Sequence, residues 1–399
     1  MVSHNSRKPP TGAPLDASHL KVTLSSSLKP VPAPDSPELA SHKVCTDHMI
    51  IARWTAERGW ADPQLVPYGS LPLMPTASVL HYSTACFEGM KVHRGYDGKL
   101  RLFRPEYNCA RMLASAIRVS LPGFDPSELH QLIRRLCAVD APKWLPADRA
   151  GQSLYIRPTL VGSDDSLGFR VPQEALLFVV VSYWPTPPPA AADAAGKGLR
   201  LFGSSEDMVR AWPGGTGSAK ISGNYGPSLL AHSEAKGMGY DQVLWLFGPE
   251  GYVTEAGSSN FFTIWLTGGD EGKLQLVTAP LVDHTILAGV TRQSILDLAR
   301  DRLAPGSSYT SDSNLEPLEV VEDKFTIFDL IKASREGRLL GAFAVGTACF
   351  VVPVAQIHYK GQDINLPGDA VPHVSALQKW ISDVLFGNEE NGWGDVIIE

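Results

Sequence analysis

The sequence predicts an α+β protein of two domains, and three observations predict it. The chain is 399 residues long, more than one ordinary hydrophobic core organises. A proline run followed by alanine and glycine, 185–198, interrupts it near the middle and reads as a linker. On either side, short apolar strands and amphipathic helices mix without the strict alternation of a parallel sheet, so mostly antiparallel sheets are expected.

Taken in order, residues 1–40 are rich in Ser and Pro with little periodicity and read as a loose N-terminal arm. Residues 41–184 then form a small α/β domain. Within it, Arg104 to Val119 has helical spacing, with Met112, Leu113, Ala116 and Ile117 on one side. Ser127 to Val139 is a second helix, capped by Asp125 or Ser127. Leu154–Arg157 and Ala175–Val181 read as strands. Beyond the linker, 199–399 forms a larger domain. There Gln242–Phe247 is a buried strand, Gly248–Gly251 a turn, and Tyr252–Leu266 extended chain interrupted by Ala256–Asn260. Val290 to Leu303 is a helix preceded by Gly289.

Composition narrows the function. A hydrophobic fraction of 44% and a charged fraction of 19% belong to a folded globular protein. The net charge of −7, with no basic run, argues against nucleic acid as the main partner. The longest apolar run, Ala175–Val181, is too short to span a bilayer, so no membrane partner is expected. Cys45, Cys86, Cys109, Cys137 and Cys349 form no CxxC pair and no zinc spacing, so reduced thiols and no metal are expected. The N-terminus lacks a secretory apolar core, and its single Arg followed by Pro9, Pro10 and Asp16 does not suit a mitochondrial presequence. A cytosolic location is expected, with a mitochondrial one the lesser alternative.

Four short segments could carry chemistry. Gly214 to Pro227 is a glycine-rich approach to Lys220, followed by Asn224-Tyr225 and a proline suited to a helix start. Taken alone, Lys220 reads as a surface lysine. Glu255 follows an apolar strand and precedes a small-residue turn, where a solvated acid is the commoner case. Gly289-Val290-Thr291 opens a helix, and helix N-termini suit phosphate, although plain caps outnumber anion sites. Gly346-Thr347-Ala348 is a small-residue turn able to point amides and a hydroxyl inward. Together they would supply an amine, a carboxylate for a pyridinium nitrogen and a phosphate cradle, which a pyridoxal 5′-phosphate enzyme needs.

With these segments the sequence resembles the branched-chain-amino-acid aminotransferases, of the fold-type IV (D-amino-acid aminotransferase-like) class, and most of all their eukaryotic cytosolic members. The resemblance rests on ordered matches: Ala13–Ser18, Thr46–Met49, His81-Tyr82, Phe87–Lys91, Arg101–Pro105, Asn108–Met112, Leu154–Pro158, Arg210–Gly215, Leu244–Pro249, Gly289–Ser294 and Gly346–Cys349. Pyridoxal 5′-phosphate is the cofactor it implies, bound covalently by Lys220. Tyr225 would hydrogen-bond its phenolic oxygen and Glu255 would keep its ring nitrogen protonated. Arg111, Val290, Thr291 and Thr347 would hold the phosphate, and Ser258 stands where the family has Thr. Tyr82, Phe87, Tyr155 and Arg157 would line the substrate side, with the amides of Thr347 and Ala348 meeting a substrate carboxylate. Leu167 and Phe169 would reach the pocket of a second subunit in a homodimer. The bland readings are an outer strand face for Tyr155 and Arg157, a solvated helix surface for Arg111, and plain core for Phe87.

The implied reaction moves the amino group of leucine, isoleucine or valine to 2-oxoglutarate. Lys220, freed by the donor, would shuttle the α-proton, which requires its pKa to fall from the ordinary value of about 10.4. One departure bears on the substrate. Where relatives place a tyrosine at the side-chain pocket, this chain reads Ser182-Tyr183-Trp184-Pro185, with Tyr183 or Trp184 the possible substitutes. Val352 replaces the second cysteine of a redox pair found in some members, so no thiol switch is expected. An aminotransferase for another hydrophobic amino acid, a lyase on the same scaffold, and a non-catalytic binding protein are the alternatives.

Overall fold

The computed structural model describes residues 12–183, 198–268, 272–307, 309, 315–348, 350–368 and 371–399. The chain divides into two compact units. One contains 1–186, 219–223 and 385–399; the other contains 187–218 and 224–384. The proposed linker, Trp184 of the altered segment and Cys349 fall outside the described residues, apart from Gly198.

The first unit is built on one sheet. Its strands are β1 (Lys21–Val22), β2 (Cys45–Thr55), β3 (Gly59–Trp60), β4 (Gln64–Pro67), β5 (Ala85–Phe87), β6 (Met90–Arg94), β7 (Leu100–Phe103), β8 (Ser153–Gly162) and β9 (Glu174–Tyr183). They run in the order β1-β4-β2-β9-β8-β6-β7, and a C-terminal strand, Gly394–Ile397, completes the edge beside β7. Every pairing along this path is antiparallel except β1 with β4. The helices are α1 (Ser78–Tyr82), α2 (Pro105–Arg118) and α3 (Pro126–Trp144). The alternation of β8 and β9 sorts their faces: Leu154, Ile156, Val179 and Val181 are buried with Met112 and Ala116 of α2 and Leu129, Leu132 and Leu136 of α3. Tyr155 and Arg157 therefore lie on the opposite face.

Both helices start as the sequence predicts, but α3 runs past Val139 to Trp144 with Pro142 inside it. Asp125 supplies its cap by accepting from the Ser127 amide at 2.9 Å. The extra turn is held by tertiary contacts. Trp144 is fully buried and its indole donates to Asp47, while Asp140 accepts from both the amide and the ring of His48. Those contacts outweigh the one hydrogen bond that a late proline removes.

The N-terminal arm corrects a second expectation. Residues 12–40 are not loose: Leu15, Ala17 and Leu39 are buried in the core of this unit, and β1 pairs with β4. Lys29 donates to the carbonyls of Cys45 and Thr46. Anchors spaced this far apart leave no periodic signal in the sequence.

The second unit holds the strands β10 (Leu199–Gly203), β11 (Gln242–Phe247), β12 (Tyr252–Ala256), β13 (Ser259–Leu266), β14 (Leu274–Thr278), β15 (Glu319–Glu322), β16 (Leu339–Gly346), β17 (Phe350–Tyr359) and β18 (Gln362–Asn365). Their order is β12-β11-β10-β17-β16-β13-β14-β15. Because β12 also pairs with β13, the first six strands close into a circuit. Helices α4 (Ser228–Gly237), α5 (Val290–Arg302) and α6 (Ile327–Arg335) belong to it, and α7 spans Pro372–Phe386. The hairpin from β12 to β13 turns at Gly257, whose φ of +57° favours glycine. A β-carbon there would also lie 2.1 Å from the Gln242 side chain.

Candidate active site

In the first unit the lysine segment is fixed by its backbone. The Lys220 amide donates to Ser115 Oγ at 2.8 Å, and its carbonyl accepts from the Phe87 amide at 3.1 Å. Ile221 adds a β-bridge to Cys86. The half-buried Lys220 side chain places Nζ 5.0 Å from the centre of the Phe87 ring. Lys220 is thus no free surface lysine.

Arg111 is only 11% exposed, against the bland reading of a solvated helix residue. Its Nε donates to Glu88 Oε1 at 2.7 Å and its Nη2 to Oε2 at 2.8 Å. Glu88 is completely buried and also accepts from Asn108 Nδ2 and its neighbour's amide, Gly89 N. Burial pushes the Glu88 carboxyl up, but the charges of Arg111 and Lys220 and the hydrogen bonds outweigh it and hold its pKa below the ordinary value. The sequence reading assigned Glu88 no role.

Tyr155 and Arg157 are half-buried, and Arg157 Nη2 donates to the Tyr155 hydroxyl at 3.0 Å. The Arg157 guanidinium stands 4.7 Å from the Phe87 ring centre, so Phe87 packs against two cations and is not plain core. Tyr82, Leu167 and Phe169 gather elsewhere on this unit. The Tyr82 hydroxyl donates to the Leu167 carbonyl, its ring meets Phe169 edge-on at 5.4 Å, and Phe169 is 90% exposed. Tyr183 does not substitute for the missing pocket tyrosine. It pairs with Leu154 on the core face, and its hydroxyl bonds Arg149 and Gln152.

In the second unit Glu255 is buried at 3% exposure, which overturns the solvated-turn reading. Its Oε1 accepts from Asn260 Nδ2 at 3.0 Å and from the Leu287 amide at 2.9 Å. Its Oε2 pairs with Arg210 Nη2 at 3.0 Å, and that nitrogen also donates to the Thr285 carbonyl. Arg210, Tyr225, Trp245, Glu255, Ser258 and Leu287 line a cavity of about 230 Å³. Arg210 and Asn260 were missed from the sequence: Arg210 meets Glu255 from 45 positions away, and Asn260 faces it only once the β12–β13 hairpin sets their register.

Two residues after Leu287, Gly289 is the N-cap of α5 and no side chain caps that helix. Its first amides belong to Val290 and Thr291, and the opening amides of an α-helix have no acceptor within the helix. A side chain at 289 would strike Asn260 Oδ1 at 2.1 Å, which accounts for the glycine. Thr347 and Ala348 sit in the turn after β16, half-buried and exposed respectively.

These groups fit pyridoxal 5′-phosphate by their chemistry. The first unit offers an amine for an aldehyde and a guanidinium for a phosphate. The second offers a buried carboxylate held by three donors, a phenol and an uncapped helix start. Among the described residues no cluster of His, Cys, Asp and Glu could hold a metal ion, and no helix is long and apolar enough to cross a membrane.

Comparison with known proteins points the same way. The family model described as amino-transferase class IV matches residues 85–357. The chain is 44% identical over 382 residues to the mitochondrial branched-chain-amino-acid aminotransferase of Schizosaccharomyces pombe, covering 95% of this chain and 84% of that one. It is 43% identical over 394 residues to the cytosolic enzyme of that name from Saccharomyces cerevisiae, covering 98% and 99%. Among solved structures, the Escherichia coli branched-chain amino acid aminotransferase shares its fold with a TM-score of 0.66 at 23% identity, over 88% of this chain and 99% of that one. The Thermobaculum terrenum enzyme of the same name, in its PLP-bound holo-form, gives 0.62 at 23% identity, over 87% and 98%.

Proposed function

The chain belongs to the class IV aminotransferases, pyridoxal 5′-phosphate enzymes, and from that premise we propose that it transfers the amino group of leucine, isoleucine and valine to 2-oxoglutarate, forming branched 2-oxo acids and glutamate. The substrate assignment is supported by relatives of that name matching nearly the whole chain. The observation that carries the chemistry is the Lys220 segment, clamped at both its amide and its carbonyl with the amine directed over an aromatic face.

When bound, the cofactor supplies an aldehyde that takes the amino group and a ring that withdraws electrons from the substrate's α-carbon. The protein does the rest. Lys220 Nζ would take the α-proton from the substrate and later return one. Glu255, held by Arg210, Asn260 and the Leu287 amide, keeps a proton on the ring nitrogen. Tyr225 would hydrogen-bond the phenolic oxygen, and Ser258, on the same cavity, would offer a further hydroxyl. In the first unit Arg111, and in the second the amides of Val290 and Thr291 with Thr347, are the groups suited to a phosphate. Phe87, Tyr155 and Arg157 border the substrate, and the amides of Thr347 and Ala348 receive its carboxylate. Tyr82, Leu167 and Phe169 form an exposed apolar group suited to a second copy of the chain in a homodimer. The cytosol is the proposed compartment, on the likeness to relatives of cytosolic name; relatives of mitochondrial name match the chain as well.

The decisive experiment is an amino-donor panel on the purified holoenzyme. Leucine, isoleucine and valine should turn over faster than phenylalanine and methionine with 2-oxoglutarate as acceptor. A preference for another hydrophobic donor would select the second reading, an aminotransferase of specialised metabolism. Tyr183 favours testing it, because the pocket tyrosine expected of relatives is not replaced by this core residue.

A further inference from the structure

The buried carboxylate of Glu88 has no part in the reaction described above, yet four donors converge on it. Arg111 Nε reaches Oε1, while Arg111 Nη2, Asn108 Nδ2 and the Gly89 amide all reach Oε2. Its neighbour Phe87 donates its amide to the Lys220 carbonyl, and Lys220 donates its own amide to Ser115, one helical turn after Arg111 on α2. Arg111, Glu88-Phe87, Lys220 and Ser115 thus form a closed circuit of contacts within the first unit.

We propose that Glu88 is a positioning residue for the cofactor: by gripping Arg111 in two places it fixes the guanidinium on the same contact circuit that holds the Lys220 backbone. This rests on the reading that Arg111 holds the phosphate. A bidentate pair fixes the plane of the guanidinium as well as its position. Glu88 takes the edge formed by Nε and Nη2, so the plane of the guanidinium is set before any anion meets it. Preformed placement of this kind is favourable because the arginine's rotamer freedom is lost on folding and not on binding.

The chemistry also explains why the isosteric amide cannot substitute. All four groups around Glu88 are donors, so a glutamine would turn its own amide hydrogens onto Arg111 or onto Asn108 and Gly89. One donor–donor clash in a fully buried site is unavoidable, and Arg111 would be displaced.

The test compares pyridoxal 5′-phosphate with phosphate-free pyridoxal, each titrated into the apo-protein by absorbance. Glu88→Gln should weaken the phosphorylated cofactor by about tenfold or more, a loss typical of a misplaced binding group, while pyridoxal binds as to wild type. Glu88→Asp should restore part of the difference. In Arg111→Gln the same selective loss appears, and adding Glu88→Gln to it should cost nothing further, since neutral partners then replace both charges. That double variant also guards against simple misfolding. Equal losses for the two ligands, or no loss, in Glu88→Gln would overturn the proposal while leaving Arg111 in place. Absence of a selective loss in Arg111→Gln would instead remove the phosphate reading itself, and the role of Glu88 with it.

Discussion

At the residue scale, Lys220 and Glu255 carry the heaviest consequences. Lys220→Ala should lower transamination by at least about 10³-fold, as loss of a covalent and proton-moving group does. Intact mass after borohydride reduction should show the cofactor on the wild-type protein alone. Turnover at the wild-type rate would refute the assignment. Glu255→Gln should leave the cofactor bound but reduce kcat by about 10²-fold or more with a smaller change in KM, because the carboxylate acts on charge developing in the ring. Steady-state kinetics with leucine would settle it. The three buried thiols should be silent: burial pushes Cys86 up to about 12 and raises Cys109 and Cys137 as well. A chromogenic disulfide at pH 8 should therefore label none of the three before unfolding, and rapid labelling would contradict their burial. Lys220, Glu255 and Arg111 were singled out through the resemblance of the ordered segments around them, since each taken alone read as a solvated side chain. Glu88 and Arg210 were not. Their identities appear within the matched segments, but what they do depends on partners 23 positions away in one case and 45 in the other.

At the scale of elements, strand alternation and helix spacing located α2, β8, β9, β11 and α5 within a few residues. Where the reading stopped short, as at the end of α3, tertiary burial of Trp144 prevailed over a local proline. The C-terminal strand had no local signal at all, being four residues long and held by partners far away in sequence. Its Asp395 bonds His130 and Arg134 on α3. Partial burial pushes that carboxyl up, but these two partners outweigh it and its folded pKa lies below the ordinary value. A carboxyl so depressed stabilises the fold above its unfolded pKa of about 3.9, and the contribution disappears as pH falls through the lower, folded value. Thermal unfolding of the apo-protein should therefore show a drop in Tm below about pH 4 that is shallower in Asp395→Asn. Equal acid slopes in the two proteins would exclude this strand as a source of acid sensitivity.

At the scale of the whole molecule, length alone suggested more than one unit, but the membership of each unit was not foreseeable. The N-terminal arm belongs to the first core through Leu15 and Leu39, exposed by only 2% and 1%. Leu15→Ala should cost about 2–5 kcal/mol of stability, measured by denaturant unfolding; a change within experimental error would mean that the arm is dispensable.

The first unit is also assembled from three separate stretches, and synthesis delivers them at very different times. When the ribosome has made residues 12–183, β7 still lacks the neighbour that will cover it, and Ser115 and Phe87 have no lysine backbone to hold. Residues 219–223 fill that socket later, and 394–397 zip onto the exposed edge last. A nascent chain stalled before the final strand thus presents a bare β edge, the kind of surface that pairs with whatever strand it meets. Cutting the gene at the linker would leave neither half able to own the reactive amine together with its seat.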